Sequence, residues 1–270
     1  MDLFHTVVNA VLRAFVALFS WAPPFVGLTI ISASAGIGML WVFRKTSDQA
    51  LIRRVKKKVS AHLLEMRVYS DEPALTWRAQ RSLLKVNVQY LLLTLPPCLF
   101  LAVPVAVLLI HVEAFYGRAP LELARPALVT AAFDSGPEGP APELTIPPQF
   151  DISAPPVRVL SEHQVSWRVL PRAPFSGELT FAINGRKVTK RVVAGRGPAF
   201  VPGRRVRSVW ASFWYPDEPH ISAPGIEWIE VSYPGAVISV FGWQIPWLAW
   251  FVIVSMLSAL LLKKRFGVTL

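Results

Sequence analysis

A chain of 270 residues could form one large domain, but 53% of its side chains are hydrophobic and its mean hydropathy is +0.43, too apolar for an ordinary soluble globule. Its net charge of +11 suggests nucleic acid only until the charge is located along the chain. With Cys98 as the single cysteine, no disulfide can staple a domain, which must be held by its own core.

Three uncharged stretches, residues 25–43, 86–110 and 240–262, carry the apolar surplus. Each reaches the roughly 17–25 residues that a helix needs to cross a hydrocarbon core of about 30 Å. Residues 44–85 hold eleven Lys/Arg against four Asp/Glu, and Lys263, Lys264 and Arg265 follow the third stretch, whereas residues 113–239 are nearly balanced. Three spans would put both basic segments on one side. The positive-inside rule makes that side the cytoplasm, with the N-terminus outside and the C-terminus inside. Topology thus accounts for the charge, and DNA is not an expected partner.

Taken in chain order, residues 1–22 are expected to form an interfacial amphipathic helix. Asp2, His5, Thr6, Asn9 and Arg13 share one face, and Pro23-Pro24 ends the pattern. A fourth span is the weaker alternative, because it would hold Asp2, Asn9 and Arg13 at depth. The missing basic n-region argues against a cleaved leader. Transmembrane helix 1, residues 23–43, is rich in small residues (Gly27, Ser32, Ala33, Ser34, Ala35, Gly36, Gly38), which suit close helix packing better than a transport path.

Residues 44–86 read as a cytoplasmic helical hairpin. Leu51, Val55, Val59, Leu63 and Met66 recur at helical spacing before Ser70-Asp71-Glu72-Pro73, and Leu75, Ala79, Leu83 and Val86 after it. Arg53, Arg54, Lys56, Lys57 and Lys58 occupy the remaining surface. Transmembrane helix 2, residues 87–111, contains Pro96, Pro97 and Pro104, which predict kinks. Asn87, Gln89, Tyr90 and Thr94 make its inner half polar, and His111 is expected at the outer interface.

Residues 112–156, rich in proline, alanine and glycine, read as an extracytoplasmic linker. Residues 157–239 carry six β-type runs: 157–160, 164–170, 177–183, 186–193, 207–215 and 226–233. Asn184-Gly185 signals a hairpin turn. These predict a small immunoglobulin-like β-sandwich. Residues 240–262 form the expected transmembrane helix 3, anchored by Trp243, Trp247 and Trp250, before the basic cytoplasmic tail 263–270. The fold class expected is therefore an α+β membrane protein with three transmembrane helices, an interfacial helix, a cytoplasmic hairpin and an outer sandwich.

No catalytic constellation emerges, so an enzyme is not expected, nor is a cofactor. The histidines at 5, 62, 111, 163 and 220 lack metal-ligand spacing. Asp217-Glu218-Pro219-His220 could form a metal loop, but one turn supplies too few ligands, and an ordinary surface turn is the expected reading. A channel or transporter is weaker still, since no charge lies within a span.

The order of elements resembles the core of the YidC/Oxa superfamily of membrane insertases, particularly its three-span members such as the archaeal YidC-like proteins and the insertase subunit of the ER membrane complex. The likeness is carried by residues 2–20, the first span and residues 44–105, where Arg53-Arg54-Val55-Lys56-Lys57-Lys58 leads into His62-Leu63-Leu64-Glu65-Met66-Arg67 and then Leu95-Pro96-Pro97. The resemblance implies a polar intramembrane groove that helps other membrane proteins insert, fold or assemble. The hairpin and tail would meet incoming chains or ribosomes. Ser32, Ser34, Asn87, Gln89 and Thr94 are the groove candidates. Arg53, Arg54, Lys56, Lys57, Lys58, Lys263, Lys264 and Arg265 are the basic contact candidates. One departure is that no arginine lies between residues 25 and 43, where many bacterial insertases carry one; Arg44 stands at the edge. The expected setting is a bacterial plasma membrane, with the bilayer and membrane-protein clients as partners. The alternative is a non-catalytic structural or assembly subunit of a larger membrane complex, binding a partner through its outer sandwich.

Overall fold

The computed structural model describes residues 7–8, 10–11, 14, 22–68, 72–134, 142–183, 186–197, 200–240 and 242–268. The expected interfacial helix, the Ser70-Asp71 cap, the proline–glycine run at 135–140 and the Asn184-Gly185 turn lie largely or wholly outside them. The chain is an α+β protein that divides into two compact units. One comprises residues 29–107 and 250–270; the other comprises residues 1–28 and 108–249.

The first unit is helical. Helix α1 (Pro24–Thr46) starts on a proline, which is tolerated in the first turn because its missing N–H would be unpaired there anyway. Asp48 caps α2 (Gln49–Val68), its Oδ1 accepting Ala50 N at 3.0 Å and Leu51 N at 2.9 Å. Helix α3 (Pro73–Tyr116) is 44 residues long and runs through Pro96, Pro97 and Pro104. The boundary expected at residue 86 is therefore not a break: the second hairpin arm and the apolar run are one helix. Helices Pro24–Thr46 and Leu75–Tyr116 are long and apolar enough to cross a membrane.

The third apolar run is corrected by the structure. Its first residues belong to a β-hairpin whose turn holds Gly242 at φ +87°, and helix α5 (Trp247–Leu262) has only 16 residues. Alternating Val237, Ile238, Ser239 and Val240 satisfy a strand as readily as a helix, and the left-handed glycine ends helical continuity before it begins. After α5 the chain turns back at Gly267, φ +64°. Phe266 and Val268 then pack with Leu40, Phe43, Ile52, Tyr90, Leu93 and Leu262 in one cluster that draws on all four segments.

The second unit is β-rich. Its strands are β1 (Ala127–Phe133), β2 (Glu143–Thr145), β3 (Phe150–Val159), β4 (Gln164–Pro171), β5 (Phe175–Ile183), β6 (Arg186–Ala194), β7 (Arg204–Val206), β8 (Ile226–Val231), β9 (Val237–Val240) and β10 (Trp243–Pro246). A five-stranded sheet of order β3-β4-β1-β8-β7 and a three-stranded sheet of order β2-β5-β6 contribute to one core. Strand pairing within both is antiparallel. Alternation turns Val165, Trp167 and Val169 of β4 and Leu179 and Phe181 of β5 inward, and Trp167 meets Phe181 edge-on at 5.4 Å.

Two expectations fail here. Residues 112–156 are not a linker: they hold the end of α3, then β1 at the middle of the five-stranded sheet, β2 and most of β3. Their alanines and prolines mask the β signal, although Ala131 and Phe133 are core residues. Residues 207–215 are not a strand: Ser208 caps the short helix α4 (Val209–Trp214), its Oγ accepting Ala211 N at 3.4 Å. The exposed edge strand β3 is guarded by Pro155-Pro156 and by register shifts on either side of Ala154.

Candidate functional site

The candidate surfaces lie in each unit separately. In the helical unit, Arg53, Arg54, Lys56, Lys57 and Lys58 are all exposed on α2, while Ile52 and Val55 between them are buried. Lys264 and Arg265 are exposed and Lys263 is half-buried. Because Ile52 packs in the same cluster as Phe266 and Val268, the two basic segments approach one another. Arg53, Lys56, Lys57, Ser60, Ala61 and Leu64 line a depression of about 440 Å³. Farther along α2, Leu63 and Leu64 are more than half exposed, as is Trp77 on α3.

The five groove candidates do not form one lining. Ser32 is fully buried and Ser34 exposed, because neighbours two apart on a helix point about 200° away from each other. By the same geometry Asn87 and Thr94, seven apart, share a face with Tyr90, and all three are half-buried, whereas Gln89 is turned out and exposed. Thr94 Oγ1 is engaged by its own helix, donating toward Tyr90 O (3.0 Å) and Leu91 O (3.1 Å). Asn87 closes a second depression, of about 360 Å³, shared with Trp77, Gln80, Arg81, Leu83 and Leu84. Asn87, Tyr90 and Thr94 therefore form one half-buried face of α3, with Tyr90 packed against the apolar cluster, while Ser34 and Gln89 are exposed.

The small-residue face of α1 packs tightly on α5. A Cβ at Gly36 would lie 2.2 Å from Ser258 Oγ and 2.3 Å from Ser255 O. Ser258 Oγ donates to Ala33 O at 3.3 Å, and Trp250 Nε1 donates to Thr29 Oγ1 at 2.9 Å. This is small-residue helix packing with hydrogen bonds across it.

In the β-rich unit the sequence reading overlooked a buried charge cluster. Lys190 is fully buried; its Nζ donates to Pro202 O at 2.9 Å and to Glu218 Oε2. Glu218 Oε1 accepts Arg191 N at 2.8 Å, and the Tyr233 hydroxyl accepts Val193 N at 3.1 Å. Arg205 donates to Thr189 O. The edge of β6 at residues 189, 191 and 193 is thus closed by side chains of the segments that follow it and, at Val193 O, by the backbone N–H of Leu121. Beside it Arg118 Nη1 donates to Asp217 Oδ2 at 2.6 Å and Nη2 to Glu113 Oε1 at 3.2 Å, while Asp217 also accepts Gly203 N at 3.1 Å.

Burial pulls the Lys190 ammonium below its ordinary range despite the opposing pull of Glu218. Arg118 is held upward: burial opposes its charge, but Asp217 and Glu113 outweigh it. Burial raises the Tyr233 phenol. The turn at 217–220 is therefore not the expected surface turn, since Asp217 is buried and both carboxylates are committed to Arg118 and Lys190. A signal was present: the period-two pattern that turns Val188 and Val192 inward turns Lys190 inward with them.

His111, expected at an interface, is buried, as are Val112 and Ala114 beside it. Compared with protein families, curated proteins and solved structures, the chain matches none.

Proposed function

We propose that this chain assists the insertion, folding or assembly of other membrane proteins, as an insertase-like protein of a bacterial plasma membrane. In this reading it crosses the bilayer three times, N-terminus outside and C-terminus inside, with α5 as the third crossing. The 16 residues of α5 span about 24 Å, short of a core of about 30 Å. Trp243 and Trp247 at one end and Lys263 at the other accommodate the difference at the interfaces. The β-rich unit is then an outer, immunoglobulin-like domain, a reading supported by two antiparallel sheets around the buried Trp167.

The observation that carries the proposal is the α2–α3 pair. Helix α3 continues without interruption from hairpin arm into apolar span, while α2 presents five exposed bases and the exposed Leu63 and Leu64. Apolar side chains set among cations suit transient capture of a hydrophobic segment. The Asn87–Tyr90–Thr94 strip offers polar groups where that segment would enter the membrane.

The alternative, a fixed subunit of a larger membrane complex, is favoured by the close helix contact at Gly36. In-cell photo-cross-linking from Asn87 and Leu64, with Ser34 as reference, separates the two. Capture of diverse, newly made membrane proteins from 87 and 64 but not 34 supports the proposal. Capture of one resident membrane protein in fixed ratio supports the subunit reading and overturns insertion.

A further inference from the structure

Helix α4 is built inside out. It buries Ser212, whose hydroxyl donates to Ser208 O at 3.1 Å, and exposes Trp210 and Trp214 at 82% and 60%. Those indoles stand one turn apart on one face, with Val209 also exposed beside them. A helix that hides a serine and displays two tryptophans is shaped for an apolar or amphipathic surrounding.

The rest of the unit tells which surrounding. Asp217, three residues beyond Trp214, holds Arg118, two residues beyond the end of α3. Three residues of chain reach at most about 10 Å, so α4 lies close to the end of that apolar helix. At the same end Gly117 O accepts Ala236 N at 3.0 Å, and Ala119 N donates to Pro234 O at 2.9 Å. Gly117 also abuts the indole of Trp247, the first residue of α5. One apolar helix leaves and another enters at this spot. Trp243, 76% exposed on β10, lies four residues before α5. Trp243 is thus four residues from the start of α5, and Trp214 is three residues from the carboxylate that holds Arg118 beyond the end of α3.

We infer that Trp210, Trp214 and Trp243 seat in the headgroup layer of the bilayer and hold the β-rich domain down on the membrane surface. Indoles, with an apolar body and one N–H, concentrate at that depth. The nearby cations do not select anionic lipid. Arg204 pairs with Glu230 and stacks on Trp228 at 4.2 Å, Arg207 pairs with Asp134, and Arg205 is spent on the carbonyls of Thr189 and Pro219. The contact is therefore with zwitterionic lipid and insensitive to salt.

This inference rests on the membrane reading above, and one experiment separates them. The full chain is placed in phosphatidylcholine nanodiscs and spin-labelled at single sites. Native Cys98, exposed on α3, reports the span; Lys187→Cys, in a Cys98→Ser background, reports water. Trp210→Cys and Trp214→Cys in that background are the test positions. Labels at 210 and 214 should lose collisions with a water-soluble nickel complex relative to 187 and gain collisions with oxygen, with no change on adding salt or phosphatidylglycerol. Water-like labels at 210 and 214 beside an oxygen-rich Cys98 overturn the inference and leave the spans standing. Labels shielded from both reagents overturn it in favour of a protein partner, and a water-like Cys98 overturns the membrane reading itself.

Discussion

Gly36 and Gly38 sit two residues apart on α1 and should respond oppositely to the same methyl group. A Cβ at Gly36 falls 2.2 Å from Ser258 Oγ and 2.3 Å from Ser255 O, and the second contact is backbone, so rotating a side chain cannot relieve it. Ordinary contact requires α5 to retreat by about 1 Å, which loosens the Ser258–Ala33 and Trp250–Thr29 hydrogen bonds as well. Overpacking costs about 1–3 kcal/mol and the two interhelical bonds roughly 0.6 kcal/mol each, against about 1 kcal/mol gained in helix propensity, so Gly36→Ala should lose about 1–3 kcal/mol. A Cβ at Gly38 meets nothing within 4 Å. Gly38→Ala should therefore hold stability or gain up to about 1 kcal/mol from helix propensity. Thermal unfolding of the full chain in detergent micelles reads this as a fall of roughly 2–12 °C for Gly36→Ala against none for Gly38→Ala. Equal midpoints for the two variants would refute the close α1–α5 contact.

Three further outcomes follow from the buried cluster and the hairpin. Lys190→Met strands the Glu218 carboxylate and Glu218→Gln strands the Lys190 ammonium, so each should cost about 3–5 kcal/mol, while the double variant costs much less than their sum. Additive melting shifts would show that the two charges are not coupled. The raised Tyr233 phenol stays neutral in the folded chain after the unfolded one begins to ionise at pH 10. Its contribution is therefore complete below pH 10 and declines above it, toward its higher folded value. A melting scan from about pH 9 to 11.5 should show that decline reduced in Tyr233→Phe relative to the native chain; identical slopes would contradict the buried phenol. Leu63→Ser with Leu64→Ser should change the unfolding free energy by no more than about 1 kcal/mol, because both are exposed, yet diminish photo-adducts formed from position 87. Undiminished adducts would remove the hairpin from the capture path.

The helices were legible because their signal is redundant: twenty apolar residues without a charge specify burial however they are packed. Strands β4, β5, β6 and β8 were legible for a related reason, since Val165, Trp167, Val169 and Leu179, Phe181 alternate without interruption. Strand β1 escaped because Ala-Leu-Val-Thr-Ala-Ala-Phe spends small side chains at a close-packed position between β4 and β8, where tertiary pairing rather than propensity decides. The 207–215 run misled in the opposite way. Its Val, Trp and Phe have strand propensity, but Ser208 closes a helical turn locally, and the aromatics are exposed instead of buried. Composition also hid which polar residues share a face: all five were visible in the sequence, while the 100° step per residue separates Ser32 from Ser34 and Asn87 from Gln89.

The end of α3 changes what the β-rich unit can do. A 45-residue linker would have let the domain search freely for a partner. Instead His111, Val112, Ala114 and Phe115 are buried, Val201 N donates to Ala114 O at 2.9 Å, and Phe115 packs on Phe200 at 5.1 Å. Arg118 then locks the next turn through Glu113 and Asp217. The helix end is part of the domain's core, so tilting it without moving the domain would strand Arg118, 81% of whose side chain is shielded, from a carboxylate only 3% exposed. Whatever bears on that last turn of α3 is therefore felt at residues 200–203 and 217–218, and through Lys190 at the edge of β6. That continuity makes the last turn of α3 a structural part of the β-rich domain, so substitutions there should be read out in the domain's own stability.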